Sequence, residues 1–280
     1  MNHLFRIIAL TFVAGLPGTG CDEAEQVHFN NGETAFAGEI CRPQTNGPHP
    51  AVVFIHGLSA DEREVFRELA KLLAEQGIVS LLYDQRGAGK SSGDWSKADL
   101  QALAGDAIAA AKYLQQRPDI RKDNVGLAGF SQGGWIASLA ASEAEEIAFV
   151  ITLSTSAVFP AGQSDDQTAT NPFGRDLEYE PLPGLRSLRA PLLMLFGEKD
   201  GSIPFEKSIT LINTTMREAG RRDFAFRVVP NADHGLFTKP YHDSPLPLLQ
   251  NLPLSPRFEP EALEAMVYWI KVAAPLHNSK

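Results

Sequence analysis

A serine at position 131 lies in a sharp predicted turn whose surroundings suit a nucleophile. The sequence Gly129-Phe-Ser-Gln-Gly133 follows a short apolar run and precedes an alanine-rich apolar segment that begins near Gly134. A strand, a sharp turn and a helix in this order expose a serine hydroxyl at the tip of the turn. Gly129 and Gly133 are expected where a Cβ would meet the neighbouring strand or helix. The pattern alone arises readily by chance, so further groups must support it.

Such a serine needs a base to take its proton and an acid to orient that base. Two later apolar runs, residues 192–196 and 224–229, predict buried strands, and Asp200 and His234 follow them closely. Because the carboxyl ends of parallel strands meet at one edge of a sheet, we expect Ser131, Asp200 and His234 to converge there. The order along the chain therefore predicts a catalytic triad.

Position decides among the 7 histidines of the chain. Only His234 follows a predicted strand and also comes after the candidate acid. His56 follows an earlier predicted strand and is interpreted as shaping a loop. Among the acids, Glu198 is the rival of Asp200, whereas Asp233 is expected to point away if the adjacent His234 points into the site.

Two backbone donors are needed to stabilise the oxyanion that forms during acyl transfer. One is predicted to be the N–H of Gln132, directly after the serine. The other is expected in the sequence His56-Gly57-Leu58, with the N–H of Leu58 as the candidate. Asp84 and Arg86, which follow another predicted strand, are expected to brace the loop beside the site.

The segment around residues 84–92 lacks the glycines of the two nucleotide-binding loops that it approaches. A phosphate-binding loop that ends in Gly89-Lys-Ser91 needs a glycine where Asp84 stands, and a dinucleotide loop that starts at Gly87 needs one where Ser92 stands. The cysteines have no metal-binding spacing either. No metal and no organic cofactor is therefore expected.

Apolar runs and helical periodicities alternate along the chain, after a hairpin signal at Asn30-Asn31-Gly32. The runs at residues 51–55 and 78–83 are continuous, as is typical of strands covered on both faces. Helical spacing is clear between residues 62 and 76. The alternation predicts an α/β fold with a mostly parallel central sheet and helices on both faces. Residues 21–280 are expected to form a single domain.

Two segments interrupt this alternation, at residues 155–190 and 239–256. Long irregular segments in compact domains are often covers over a site. The first is predicted to be a short cover, and a proline-stiffened surface loop is an equal alternative for both.

The first 20 residues predict export. They carry one formal charge, at Arg6, followed by an apolar run and small residues, which is the pattern of a signal peptide. The pattern also resembles a bacterial lipoprotein signal, in which Cys21 would be lipidated and tether the protein to a membrane. A disulfide with Cys41 or a free thiol are the alternatives. The protein is expected to be periplasmic, membrane-anchored or secreted.

The net charge of -9 disfavours nucleic acid as a partner. The motifs described above together resemble those of α/β-hydrolases of the carboxylesterase, dienelactone-hydrolase and serine-aminopeptidase-like group. The resemblance extends from about residue 26 to about residue 272 and rests on five stretches. These are residues 56–58, 84–91, 129–133, 197–200 and 232–235. It implies the α/β-hydrolase fold, with a small cap or none because residues 155–190 are short where many relatives carry a helical cap.

The motifs and the resemblance together predict a serine hydrolase that cleaves carboxylic esters through an acyl-enzyme intermediate. The expected substrate is a small-molecule ester or a short peptide. A peptidase or amidase of the serine-aminopeptidase or acyl-peptidase type is the first alternative. A non-catalytic protein that binds an acyl ligand is a second alternative, from another functional class.

Overall fold

An eight-stranded sheet forms the centre of the molecule in the computed structural model, which describes residues 24–58, 61–158, 181–238 and 257–275. The strands are β1 (Glu25–Asn31), β2 (Thr34–Cys41), β3 (His49–Ile55), β4 (Val79–Tyr83), β5 (Ile120–Phe130), β6 (Val150–Leu153), β7 (Leu192–Gly197) and β8 (Phe224–Val229). Their order in space is β1-β2-β4-β3-β5-β6-β7-β8. β2 is antiparallel to both of its neighbours, and every pairing from β4 through β8 is parallel. The predicted mostly parallel sheet is confirmed.

Helices pack on both faces of this sheet, as predicted. They are α1 (Arg67–Glu75), α2 (Leu100–Gln115), α3 (Gln132–Glu143), α4 (Pro181–Ser187), α5 (Phe205–Glu218) and α6 (Pro260–Tyr268). One apolar cluster joins the sheet to α2, α3, α4 and α5, and a second joins the opposite face to α1 and α6. α2 begins after Asp99, whose carboxylate accepts a hydrogen bond from the N–H of Ala102 at 2.7 Å and so caps the helix.

The alternation of side chains along β3 explains why its sequence is apolar throughout. Val53 and Ile55 belong to the cluster on the α2–α3 face, whereas Val52 and Phe54 belong to the cluster on the α1–α6 face. Successive residues of a strand point to opposite faces, so a strand that lies between two layers of helices needs apolar residues at every position. β3 carries the site loop at residues 56–58 from this fully buried position.

The ends of several elements differ from the sequence-based prediction. The helix predicted over residues 62–76 begins with a 3-10 turn, Arg63–Phe66, before α1. The predicted hairpin forms as β1 and β2, and Gly32 adopts a φ of 57° in its turn. A second, short pair of strands, β9 (Phe237–Thr238) and β10 (Arg257–Phe258), lies apart from the main sheet and was not predicted.

The two irregular segments are described only at their ends. Residues 155–158 are buried, and α4 forms at residues 181–187 within the predicted cover segment. Residues 159–180 and 239–256 lie outside the described residues, as do the predicted signal peptide and Cys21. Cys41 is buried at the end of β2. The single-domain boundaries and export therefore stay predictions. Within the described ranges, no helix combines the length and apolar character needed to cross a bilayer.

Candidate active site

Ser131 occupies a strained backbone position between β5 and α3. Its φ of 51° and ψ of -119° lie outside the regions that residues with a side chain prefer. Two hydrogen bonds hold the peptide units around it. The N–H of Ser131 donates to the carbonyl of Leu153 at 2.8 Å, and the hydroxyl of Thr155 donates to the carbonyl of Ser131 at 2.9 Å. The surrounding structure therefore fixes a turn that the chain would otherwise avoid.

The glycines on either side of Ser131 lie where there is no room for a side chain. A Cβ on Gly129 would lie 2.1 Å from the carbonyl oxygen of Gly133, and a Cβ on Gly133 would lie 2.4 Å from the carbonyl oxygens of Ile55 and His56. These are contacts with backbone atoms, which cannot rotate away. The close approach at Gly133 also brings the end of β3 directly against the start of α3.

Asp200 and His234 lie on adjacent loops, after β7 and β8. Their backbones are joined by a hydrogen bond from the N–H of Lys199 to the carbonyl of Ala232, at 2.9 Å. Oδ2 of Asp200 lies 2.7 Å from Nδ1 of His234. The other oxygen, Oδ1, accepts hydrogen bonds from the N–H groups of Ser202 at 2.8 Å and Ile203 at 3.3 Å. Asp200 is therefore fixed on both sides.

This arrangement defines the chemistry of the imidazole. The side chain of Asp200 is fully buried, whereas 28 % of the His234 side chain is exposed. When the N–H at Nδ1 donates a hydrogen bond to the carboxylate, Nε2 of the neutral ring carries the lone pair. In this tautomer Nε2 can accept a proton from an alcohol.

The alternative acids are engaged elsewhere. Glu198 accepts a hydrogen bond from the N–H of Asn231 at 3.0 Å. Asp233 accepts hydrogen bonds from the N–H groups of Gly235 at 2.9 Å and Phe237 at 3.1 Å, so it shapes the loop that holds the histidine. Both carboxylates support backbone turns, and Asp200 is the one that contacts His234.

Phe130 links the turn of Ser131 to the loop of His234. Its ring centroid lies 5.0 Å from that of His234, and it directly precedes Ser131. Within the described residues, the side-chain hydrogen bond of His234 reaches Asp200 but not the hydroxyl of Ser131. Such bonds are often long before substrate binds and shorten in the complex. The fold thus places the three predicted residues at one edge of the sheet, and their joint action as a triad stays a prediction.

The predicted oxyanion donors flank Ser131. A Cβ built on Gly57 would lie 3.6 Å from the Cβ of Ser131, so the loop after β3 lies directly beside the serine. Leu58 follows in that loop and is half-buried. Gln132 is the first residue of α3, where backbone N–H groups have no partner within the helix. Their role as oxyanion donors stays a prediction.

His56 is held as a neutral ring beneath this loop. It is 1 % exposed, and its Nε2 lies 2.8 Å from the carbonyl oxygen of Tyr83. Burial lowers the pKa of His56, although the hydrogen bond to Tyr83 acts in the opposite direction. Because a carbonyl can only accept, Nε2 carries the proton and Nδ1 carries the lone pair.

The two predicted bracing residues have separate partners. Arg86 pairs with Asp106 of α2, with its Nη2 at 2.6 Å from Oδ1. Asp84 accepts hydrogen bonds from Nε and Nη2 of Arg63 at 2.8 and 2.6 Å, and from the N–H of Lys90 at 2.9 Å. The side chains of Arg63 and Asp84 are only 6 % and 2 % exposed. Asp84 thus ties the loop after β4 to the 3-10 turn that leads into α1.

This buried pair gives a stability prediction. Burial alone would raise the pKa of Asp84, but the hydrogen bonds from Arg63 and Lys90 outweigh it, so the pKa is lowered. The Asp84→Asn variant is expected to lose about 3–5 kcal/mol of unfolding free energy at neutral pH, because the buried Arg63 charge loses its partner. The contribution of Asp84 is complete above the unfolded-state pKa of ~3.9 and is lost as the pH falls through the lower folded-state pKa.

Urea unfolding of both proteins across the acid range measures this effect. The difference in the free energy of unfolding between wild type and Asp84→Asn should shrink as the pH falls below about 4. Asp123→Asn, at an exposed position of β5, is the matched control and should cost little at any pH. A difference for Asp84→Asn that is small at pH 7, or that persists unchanged in acid, contradicts the prediction.

Among the described residues, no group of three or more His, Cys, Asp or Glu side chains is arranged to hold a metal ion. The geometry is that of a strained serine turn, a carboxylate–imidazole pair and the loop after β3, all at the carboxyl edge of a parallel sheet. Residues 64–244 match the model of the prolyl oligopeptidase family. The chain belongs to this family.

Other proteins resemble the chain over most of its length. It is 24% identical over 227 residues to a putative carboxymethylenebutenolidase from Synechocystis sp., covering 75% of this chain and 85% of that protein. It is 28% identical over 232 residues to a probable 2-oxo-3-(5-oxofuran-2-ylidene)propanoate lactonase from Bradyrhizobium sp., covering 78% and 85%. A putative dienelactone hydrolase from Klebsiella pneumoniae has the same fold, with a TM-score of 0.64, 19% identity and coverage of 89% and 98%. This member of the prolyl oligopeptidase family is therefore a hydrolase with the α/β-hydrolase fold.

Two residues that support the site in this family member were not found from the sequence. Thr155 binds the carbonyl of Ser131 and lies in a segment interpreted as an irregular cover. Arg63 is the partner of Asp84 but precedes it by 21 residues, with no motif to connect them. The burial of Arg63 is the feature that marks an ion pair, and it is visible in the folded protein but not in the sequence.

Proposed function

We propose that the protein is a serine hydrolase that cleaves carboxylic esters through an acyl-enzyme. The observation that carries the proposal is the 2.7 Å contact between Asp200 and His234 at the edge of the sheet where Ser131 stands in its strained turn. The membership of the chain in the prolyl oligopeptidase family supports a hydrolytic reaction. The cavity beside the turn, described below, gives a substrate room to bind.

The proposed reaction proceeds in two halves. The hydroxyl of Ser131 attacks the ester carbonyl while Nε2 of His234 takes its proton, and Asp200 stabilises the imidazolium that forms. The N–H groups of Leu58 and Gln132 stabilise the tetrahedral oxyanion. As the intermediate collapses, the carbon–oxygen bond to the alcohol breaks and His234 returns the proton to that oxygen. Water then attacks the acyl-serine by the same route and releases the acid.

Peptide or amide hydrolysis is the second candidate, because the family match is to the prolyl oligopeptidases. An amine is a poorer leaving group than an alcohol and asks more of the acid step.

Side-by-side kinetics decide between these substrates. With purified protein, we expect a higher kcat/KM for a p-nitrophenyl ester than for an aminoacyl p-nitroanilide. The two substrates carry the same p-nitrophenyl ring, but the leaving group departs through oxygen in the ester and through nitrogen in the anilide. A higher kcat/KM for the anilide would favour a peptidase. If the protein hydrolyses neither the ester nor the anilide, the proposed function is wrong.

A further inference from the structure

A cavity of about 190 Å³ opens beside the candidate active site. This is well above the ~10–15 Å³ that admits one water molecule. Its lining includes Gly57 of the loop after β3, Phe130, which precedes Ser131, and Gly235, which follows His234. His56 also lines this space, which we call the His56 cavity. The remaining lining residues are Asp61, Val65, Phe66, Glu68, Leu69, Leu153, Phe237 and Phe258.

His56 presents a hydrogen-bond acceptor without a partner. Its Nε2 donates to the carbonyl of Tyr83, which fixes Nδ1 as the nitrogen with the lone pair. Nδ1 is buried and makes no hydrogen bond. A buried acceptor that stays unsatisfied costs about 1–3 kcal/mol. A donor group that reached Nδ1 from the cavity would remove this cost.

The other polar side chains of the described lining are acceptors too. Asp61 and Glu68 are carboxylates, and no lysine, arginine, serine, threonine, asparagine or glutamine is among the described residues that line the cavity. Glu68 is paired at the surface with Lys71 at 3.4 Å, which reduces but does not reverse the negative character of the mouth. Side chains that line this space can thus receive hydrogen bonds but not donate them.

We propose that the His56 cavity binds the part of the substrate that carries a hydrogen-bond donor, either a hydroxyl or an ammonium group, and excludes carboxylates. An apolar body would pack against Phe66, Phe130 and Phe237, while the donor reaches Nδ1 of His56. The inference rests on the proposed hydrolase function, because it treats the cavity as a substrate pocket. His56 is then a specificity-determining residue that acts through binding and takes no part in proton transfer.

Direct binding of two matched ligand pairs to the full-length protein tests this proposal. Phenol and fluorobenzene are similar in size, but only phenol donates a hydrogen bond, and we expect phenol to bind about three- to tenfold more tightly. Benzylamine and benzoate differ in charge, and we expect benzylamine to bind about tenfold more tightly. With ¹⁵N-labelled histidine, phenol should shift the Nδ1 resonance of His56, and fluorobenzene should not.

Surface variants supply the control. Glu68→Gln removes a carboxylate from the cavity mouth and should narrow the difference between benzylamine and benzoate. Glu75→Gln makes the same change on an exposed residue of α1 outside the cavity and should leave that difference unchanged. Glu68 and Glu75 are exposed, so both variants are expected to fold. A His56 variant is not used, because it would also remove the partner of the Tyr83 carbonyl.

Three results overturn the proposal: equal affinities within either ligand pair, an Nδ1 resonance that phenol does not move, or no binding by any of the four ligands. Hydrolysis of the p-nitrophenyl ester is measured on the same preparation. Ester hydrolysis with equal ligand affinities overturns the cavity proposal alone. The expected binding preference without ester hydrolysis overturns the proposed function alone.

Discussion

Replacing Ser131 by alanine is expected to lower kcat for a p-nitrophenyl ester by about ten-thousand- to million-fold, while the protein stays folded. The variant has no hydroxyl to form the acyl-enzyme, so the mechanism loses its nucleophile. Stability should change little, because the hydrogen bonds that hold the turn use the backbone N–H and carbonyl of Ser131. Steady-state kinetics and a thermal unfolding curve measure the two effects together.

Ser142→Ala is the matched control for this prediction. Ser142 lies on the same helix, α3, and its hydroxyl donates to the carbonyl of Leu139. This variant should retain the wild-type kcat. Turnover by Ser131→Ala at a rate close to wild type would exclude the proposed mechanism, and a loss of activity that accompanies unfolding would reassign the effect to stability.

Asp200→Asn is expected to lower kcat by about ten-thousand-fold. The amide cannot balance the charge of the imidazolium, and it can stabilise the tautomer of His234 in which Nε2 carries the proton and cannot act as a base. The variant keeps the size of the side chain and its oxygen can still accept from Ser202 and Ile203. The measurement is kcat on the same ester, with circular dichroism to verify the fold.

Glu198→Gln tests the rival acid in the same way. Glu198 accepts a hydrogen bond from Asn231 and makes no contact with the imidazole in the described structure. Its neutralisation should leave kcat within a few-fold of wild type. If Glu198→Gln loses more activity than Asp200→Asn, the acid of the site is Glu198 and the carboxylate–imidazole pair seen here is structural.

The parts of the fold that follow from local pattern could be predicted from the sequence. Continuous apolar runs marked β3 and β4, because a strand between two layers of helices has no polar face. The hairpin at Gly32 followed from residues that tolerate a positive φ. The order of the strands in space, with β3 between β4 and β5, is a property of long-range packing, and only the resemblance to a known superfamily implied it.

The site shows the same division between local and distant information. The glycine pattern located the turn of Ser131, and the strand ends placed Asp200 and His234 on neighbouring loops. The groups that hold this arrangement come from elsewhere in the chain: Thr155 from the loop after β6, and Arg63 from the turn before α1. Thr155 and Arg63 contact their partners only in the folded chain, and no spacing in the sequence connects them to these partners. The orphan lone pair of His56 likewise follows only from its contact with Tyr83.

The serine mechanism is tested most directly by identifying the residue that carries the acyl group during turnover. The protein is mixed with p-nitrophenyl acetate, quenched in acid before the intermediate hydrolyses, digested and mapped by mass spectrometry. We expect one acetyl group on the hydroxyl of Ser131 in the wild type and no acetyl group at this position in Ser131→Ala. An acetyl group on another residue that disappears with turnover, or steady ester hydrolysis with Ser131 unmodified at every quench time, would contradict it.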